Sequence, residues 1–222
     1  MKIKILVIVL SVLMMQIICS SGDPGKNINL PVPFYYQLQP NYCGIACIQM
    51  WADYDHRYVT QKEIADFLGI EDQFVHPTLL EQGVSYFTNS QGTLAIEDMI
   101  ELDAQENLIG ATISGIKDFI PSIMPFWGDH AILIKGSKWY EDAYGRPIAD
   151  RVYIHDPNSG ANKTITAAVL KTAFQPCPFS YWVIVGNPFY VPEGREGYKT
   201  FLSEGGTYYG GSCNRNPLEP PL

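Results

Sequence analysis

The sequence has few basic residues for its length. Its 222 residues include 15 Lys and Arg against 23 Asp and Glu, which gives a net charge of −8. Proteins that bind nucleic acid or anionic lipid carry the opposite balance, so we expect no nucleic-acid partner and no electrostatic attraction to a membrane. Charged residues make up only 17% of the chain and hydrophobic residues 46%, which is typical of one folded globular domain, with or without a tail.

Several motifs of enzyme chemistry are absent from the sequence. No Cys-x2-Cys pair and no His-Glu-x2-His occurs, so no metal site is predicted. No Gly-x-Ser-x-Gly occurs, which disfavours a serine hydrolase of that type, and no glycine-rich phosphate loop is present. We therefore expect no cofactor, and any chemistry has to be carried by side chains alone.

Residues 1–21 have the pattern of a secretory signal peptide. Lys2 and Lys4 precede an apolar run over residues 5–18, which is shorter than the roughly 20 residues that a membrane-spanning helix needs. We expect export, with residues 22–31 as a linker. Cys19 ends the apolar run and resembles the lipidated cysteine of a bacterial lipoprotein. The protein is then predicted to be secreted, periplasmic or held at the cell surface by a lipid on Cys19.

Four more cysteines follow Cys19, and an exported chain is permitted to form disulfides. Cys43 and Cys47 are four residues apart, where a bridge within one helix is geometrically awkward. We expect Cys47 to pack in the core. A disulfide between Cys177 and Cys213 is left open.

The order of the predicted elements, helices first and strands second, is an α+β pattern. Helices are predicted at residues 45–54, 60–69 (opened by a Thr-Gln-Lys-Glu capping box), 77–87, 94–102 and 166–174. Strands are predicted at residues 107–113, 131–135, 151–155 and 181–185. We expect residues 32–186 to form the domain and residues 187–222, rich in Gly, Pro and Tyr, to be a C-terminal extension.

Cys43 is the candidate nucleophile. It is predicted at the first turn of a helix, where the positive end of the helix dipole favours the thiolate, which is the reactive form of cysteine. A glutamine six residues upstream, Gln37, is placed to hold a developing oxyanion together with the backbone N–H of Cys43. Gln39 is the competitor, but its shorter offset leaves less chain to fold back.

His130 and Asp156 are the candidate partners of the thiol. His130 begins an apolar strand, which aims its side chain rigidly, and Asp156 ends the next clear strand, where it can orient an imidazole. His155 is a rival base. Because neighbouring side chains in a strand point to opposite faces, His155 and Asp156 are not expected to share one site. His56 and His76 are expected to be solvated.

These segments resemble the motifs of papain-like cysteine peptidases. The resembling segments are Gln37 followed after five residues by Cys43-Gly44, then His130-Ala131, and then Asp156-Pro157. They look most like the bacteriocin-leader peptidases, cysteine-peptidase family thirty-nine, whose transporter-linked members carry a Cys-Gly-x-Ala-Cys like that of residues 43–47. The resemblance implies a papain-like fold, with an N-terminal helical lobe packed against an antiparallel β-sheet.

The resemblance also implies roles for four residues: Cys43 as nucleophile, His130 as base, Asp156 as orienting acid and Gln37 as oxyanion donor. Asp129, directly before the base, departs from the glycine that relatives often have there. The predicted activity is hydrolysis of a peptide bond, with a peptide or protein as the partner. A thiol transpeptidase or amidase uses the same residues and is not distinguished from a peptidase by the sequence.

A non-catalytic binding module on the same scaffold is the alternative from another class. Its surface would be formed by aromatic residues in loops, such as Trp127, Trp139-Tyr140 and Tyr208-Tyr209. Ordinary packing of these side chains is the simpler interpretation. The substrate, its cleavage preference and the oligomeric state are not indicated by the sequence.

Overall fold

The computed structural model describes residues 25–98, 104–126, 130–173 and 180–186, with only the backbone described at 97, 98, 104, 180 and 181. Among these residues, seven strands form one antiparallel sheet: β1 Lys26–Asn29, β2 Gly92–Asp98, β3 Ser122–Phe126, β4 His130–Glu141, β5 Pro147–Asp156, β6 Gly160–Thr166 and β7 Ser180–Gly186. Five helices accompany them in the described part of the chain: α1 Cys43–Tyr54, α2 Gln61–Leu68, α3 Pro77–Phe87, α4 Ala104–Lys117 and α5 Ala167–Ala173.

The strand order in the sheet is β2-β7-β3-β4-β5-β6, and β1 pairs with the second half of β4. The sheet has helices on both faces. Helices α1, α2 and α3 pack on one face, where Ile45, Trp51 and Ile64 share a core with Leu133 and Ile184. Helices α4 and α5 cover the other face. The predicted α+β fold, a helical lobe against an antiparallel sheet, is confirmed.

The first part of strand β4 is buried on both faces, and this explains the uninterrupted apolar run at residues 131–134. Its side chains alternate, so Ala131 and Leu133 join the core under α1–α3, whereas Ile132 and Ile134 join the core under α4 and α5. A strand covered on one face only alternates apolar with polar residues instead. The central position of β4 holds its first residue, His130, against a rigid scaffold.

Local signals placed several elements correctly. Thr60 and Glu63 form the capping box of α2, with the Thr60 side chain accepting from the backbone of Glu63, and Gly69 ends that helix at φ 66° in the left-handed region. Thr166 accepts a hydrogen bond from the N–H of Val169 at 3.3 Å and so caps α5.

Two predicted elements are wrong. The helix predicted at residues 94–102 is wrong over residues 94–98, because β2 occupies residues 92–98 and pairs along its whole length with β7, while residues 99–102 lie outside the described residues. Residues 107–113 do not form a strand, because they lie within α4, where Leu108, Ile109 and Ile113 are buried at helical spacing. Short apolar runs fit both periods, and the pairing with β7 and the packing on the sheet decided between them.

Candidate active site

Cys43 is the first residue of α1 and is only 4% exposed. The N-cap residue, Tyr42, makes no side-chain capping hydrogen bond, so no capping side chain occupies the N-terminus of α1, where Cys43 lies. Gly44 permits the close approach of α3 at this point: a Cβ atom at residue 44 would lie 2.6 Å from Leu80 Cδ2. The helix begins two residues earlier than the apolar pattern predicted, and it begins at the thiol.

The Cys43 sulfur accepts a hydrogen bond from the backbone N–H of Ala131, at 3.3 Å. The carbonyl oxygen of the same residue lies 3.8 Å from the sulfur of Cys47, which is positioned to donate to it. Both thiols of α1 therefore contact the peptide backbone of the residue that follows His130. Burial raises the pKa of the Cys47 thiol, so this second cysteine stays protonated, in agreement with its predicted core role.

His130 lies between the thiol and a carboxylate. Its Nε2 is 2.8 Å from Asp156 Oδ1, and its ring also hydrogen-bonds the Cys43 side chain. Burial on its own lowers the pKa of His130, but the bonds to Asp156 and Cys43 outweigh it and raise the pKa to about 9. At neutral pH the arrangement therefore favours a protonated His130 that contacts both the Cys43 side chain and Asp156.

Asp156 ends β5 and is almost fully buried. Besides His130, its Oδ1 accepts from the backbone N–H groups of Asn158, at 2.9 Å, and Ser159, at 3.2 Å. Burial by itself would raise the pKa of this carboxyl, yet the hydrogen bonds from His130 and Ser159 lower it well below its usual range. The same carboxylate shapes the turn after β5 and orients the imidazole.

Gln37 lies in the loop that leads to Cys43. Its backbone N–H donates to Pro157 O at 3.0 Å, which ties this loop to the residue after Asp156. Its side-chain Nε2 donates to Gln39 O, at 3.0 Å, and to Pro40 O, at 2.6 Å. Both amide hydrogens thus bond the loop itself, and a role for Gln37 at the oxyanion stays a prediction. Gln39, the competitor, is exposed and contributes its carbonyl to this loop.

Gln61 is a residue of the site that the sequence did not point to. It is 2% exposed, its Oε1 accepts from Leu38 N at 2.9 Å, and its Nε2 donates to Tyr36 O at 2.8 Å. It therefore holds the backbone on both sides of Gln37. Gln61 follows the capping residue of α2, a position that usually faces solvent, so only its unexpected burial identifies it.

His155 is not part of this cluster. Its Nε2 bonds Val32 O at 2.9 Å, and its Nδ1 accepts from Asn162 N at 3.0 Å. Burial lowers its pKa, so it stays neutral. This is the opposite-face placement that alternation with Asp156 predicts. His56 is exposed as expected, whereas His76 is partly buried and caps α3 through Thr78.

Several residues singled out in the sequence lie outside the described residues. They are the cysteines Cys19, Cys177 and Cys213, and also Trp127, Asp129 and Tyr208-Tyr209. Of the aromatic candidates that are described, Trp139 is buried in the core under α4 and Tyr140 is half-exposed. Trp139 is therefore a packing residue and not part of a binding surface.

A family model described as the Peptidase_C39 like family matches residues 29–187 of the chain. The chain belongs to this family. The match begins at the last residue of β1, runs through β7 and includes all four predicted site residues, and it confirms the resemblance seen in the sequence motifs. A comparison with curated protein sequences finds no match.

Solved structures show the same fold at low sequence identity. A double glycine motif protease from an AMS/PCAT transporter, solved in complex with the leader peptide, is 16% identical, with a TM-score of 0.50 over 76% of this chain and 97% of that one. UfSP from C. elegans is 12% identical, with a TM-score of 0.52 over 75% of this chain, which spans 35% of that protein. At these identities the likeness concerns the fold alone. No helix among the described residues of this family member is long and apolar enough to cross a membrane.

Proposed function

We propose that the protein is a papain-like cysteine peptidase that hydrolyses peptide bonds through an acyl-enzyme on Cys43. The observation that carries the proposal is the chain of hydrogen bonds from Cys43 to His130 and from His130 to Asp156, the latter at 2.8 Å. A thiol paired with an imidazole, itself oriented by a third group, is the arrangement that activates a nucleophile.

The reaction proceeds in two halves. The Cys43 thiolate attacks the carbonyl carbon of the scissile peptide bond and forms a C–S bond. The C–N bond then breaks, and the amine leaves with the proton of the His130 imidazolium, so a thioester remains. A water molecule next gives a proton to His130 and attacks the thioester. The C–S bond breaks, a carboxylic acid is released, and His130 and Cys43 return to the ion pair.

The oxyanion that forms during each attack needs donors in a fixed position. The backbone N–H of Cys43, at the start of α1, is the first donor we propose. The second is the side-chain amide of Gln37, which would exchange one of its bonds to Gln39 O or Pro40 O for the oxyanion. The hydrogen bond from Gln37 N to Pro157 O supports this role because it ties the loop that carries Gln37 to the residue after Asp156.

The proposed substrate is a peptide or an extended protein segment. The family and the fold support this class, and the AMS/PCAT protease of the same fold was solved with a leader peptide. We also propose that the protein acts outside the cytoplasm, either with residues 1–21 as a cleaved signal peptide or with a lipoprotein signal that ends before Cys19 and a lipid attached to that cysteine. The support for export is the charge and hydropathy pattern of that segment alone.

The test is cleavage of a complex peptide mixture by the exported protein, with new termini identified by mass spectrometry. Wild type is expected to generate new termini, and Cys43→Ala is expected to generate none while keeping its circular dichroism spectrum. Alkylation with iodoacetamide in the same experiments provides an internal control, because Cys47, whose pKa is raised by complete burial, is expected to react far more slowly than Cys43. Cleavage that persists in Cys43→Ala contradicts the proposal.

Two further outcomes separate the alternatives. If products appear only when an amine acceptor is added, the acyl-enzyme is transferred to amines and the protein is a transpeptidase. If Cys43 is unreactive at all pH values while the folded protein still binds peptides, the scaffold is a binding module.

A further inference from the structure

The second carboxylate oxygen of Asp156 is held by two residues that the proposed reaction does not use. Ser159 Oγ donates to Oδ2 of Asp156, and the Lys163 ammonium lies 3.5 Å from the same oxygen. Lys163 also donates to Ser159 Oγ. The two oxygens of Asp156 thus have separate partners: Oδ1 faces His130 and two backbone N–H groups, and Oδ2 faces Ser159 and Lys163.

This arrangement is local to the hairpin that joins β5 and β6. The turn residues 157–159 follow Asp156 directly, and Gly160 has a φ of 132°, which a residue with a side chain rarely adopts. Strand β6 then returns and pairs Lys163 with Ile154 of β5. The Lys163 side chain is only 28% exposed, so its charge is partly shielded from solvent. An ion pair of this kind has more effect on its neighbours than one on the open surface.

We propose that Ser159 and Lys163 are positioning residues that hold Oδ2 of Asp156, with Oδ1 facing His130, and that they moderate the attraction of this carboxylate for the His130 imidazolium. The inference rests on the proposed function, in which Asp156 orients the base. The hairpin itself supplies four donors to Asp156: the backbone N–H groups of Asn158 and Ser159, Ser159 Oγ and Lys163 Nζ. Because these donors all lie within residues 158–163, the hairpin holds its carboxylate in one orientation.

Lys163 also competes with His130 for the negative charge of Asp156. Removing the ammonium is expected to strengthen the attraction between Asp156 and the imidazolium, so the proton is held to higher pH. The other ionisable groups around the pair are Cys43 and Cys47 of α1, and Cys47 is kept neutral by burial. Asp129, next to His130 in the chain, lies outside the described residues and is retained in every variant below.

The test is an NMR titration of His130 in the full exported protein labelled with ¹³C-histidine, with the His130 signal assigned from its loss in His130→Gln. Lys163→Met is expected to raise the titration midpoint of His130 by about 0.5 to 1 pH unit. Lys163→Arg keeps the charge and is expected to leave the midpoint unchanged. Ser159→Ala, which removes one donor from Oδ2, is expected to shift it in the same direction by less.

Lys62→Met is the matched control, because it removes the same charge from an exposed pair with Asp66 on α2. It is expected to leave the His130 midpoint unchanged, and Lys163→Gln provides a second neutral variant if Lys163→Met unfolds. An unchanged or lowered midpoint in the neutral Lys163 variants overturns the proposal, as does an equal shift in Lys62→Met. The titration needs no substrate, so a failure of the proposed peptidase activity does not affect its outcome.

Discussion

The two sides of the candidate site are held in different ways. Apart from His130, the groups that donate hydrogen bonds to Asp156 belong to residues 158–163 of its own hairpin. Cys43 is placed by contacts that are distant in sequence: the N–H of Ala131, 88 residues away, and the packing of Gly44 against Leu80. The acid is therefore oriented by local hydrogen bonds, whereas the thiol is oriented by the packing of the helical lobe on the sheet.

This difference predicts which changes damage chemistry alone and which damage the fold. Substitutions in the hairpin are expected to alter the ionisation of His130 with little loss of stability. Substitutions under α1 are expected to destabilise the protein and to displace the thiol at the same time. His130, at the first residue of β4, connects the two sides.

The largest expected effect is that of His130→Ala. It removes the proposed base and the proposed partner of the nucleophile, so peptide hydrolysis is expected to fall by at least about 10³-fold. Alkylation of Cys43 by iodoacetamide at neutral pH is then expected to be slower than in wild type, because the His130 imidazolium that supports the nucleophilic sulfur is gone. His56→Ala, an exposed histidine, is the control and is expected to behave as wild type. Equal alkylation profiles for wild type and His130→Ala contradict the thiolate–imidazolium pair.

Gly44→Ala tests the packing side of the site. The added methyl group would lie 2.6 Å from Leu80 Cδ2, so we expect a loss of roughly 1–3 kcal/mol in the free energy of unfolding, together with slower alkylation of Cys43. Gly110→Ala is the matched change in α4, where nothing lies within 4 Å of the new Cβ, and it is expected to stabilise by about 0.5–1 kcal/mol. Urea unfolding followed by circular dichroism measures both. Similar changes in the free energy of unfolding for the two variants would show that the Leu80 side chain moves aside without loss of stability.

Gln61→Met tests the loop that carries Gln37. It removes the partners of Leu38 N and Tyr36 O, so the loop loses its fixed path, and kcat is expected to fall about 10-fold or more. Alkylation of Cys43 is expected to keep its wild-type pH profile, because the thiol, His130 and Asp156 are untouched. Steady-state kinetics and the alkylation profile are measured on the same preparation. A changed alkylation profile would mean that Gln61 supports the whole site and not only the loop that carries Gln37.

The raised pKa of His130 also predicts how stability depends on pH. The folded-state pKa of His130, about 9, lies above its unfolded value of about 6.5, so the folded state binds the extra proton in this window. Its contribution is complete below pH 6.5 and is lost as pH rises to 9. The free energy of unfolding of wild type is therefore expected to decline over this window more steeply than that of His130→Gln. Parallel declines in urea titrations at several pH values contradict the raised pKa.

The sequence predicted the elements whose signals are local. The capping box at Thr60, the left-handed Gly69 and the cap at Thr166 each depend on a few neighbouring residues, and the structure has all three. The errors at residues 94–102 and 107–113 concern short apolar runs that fit a helix or a strand equally well. Pairing with β7 made the first a strand, and packing against the sheet made the second a helix, and neither influence is visible in a single segment.

The sequence by itself determined the residue types of the candidate site, their order along the chain and the family, because short motifs around Cys43, His130 and Asp156 carry them. The tertiary structure alone decided that these side chains meet, that Gln61 and Lys163 support them, and that His155 is turned away. The physical reason is the sequence distance over which each interaction acts. Caps, turns and alternation depend on neighbours in sequence, whereas a contact such as that between Ala131 N and Cys43 Sγ depends on how the helical lobe packs on the sheet.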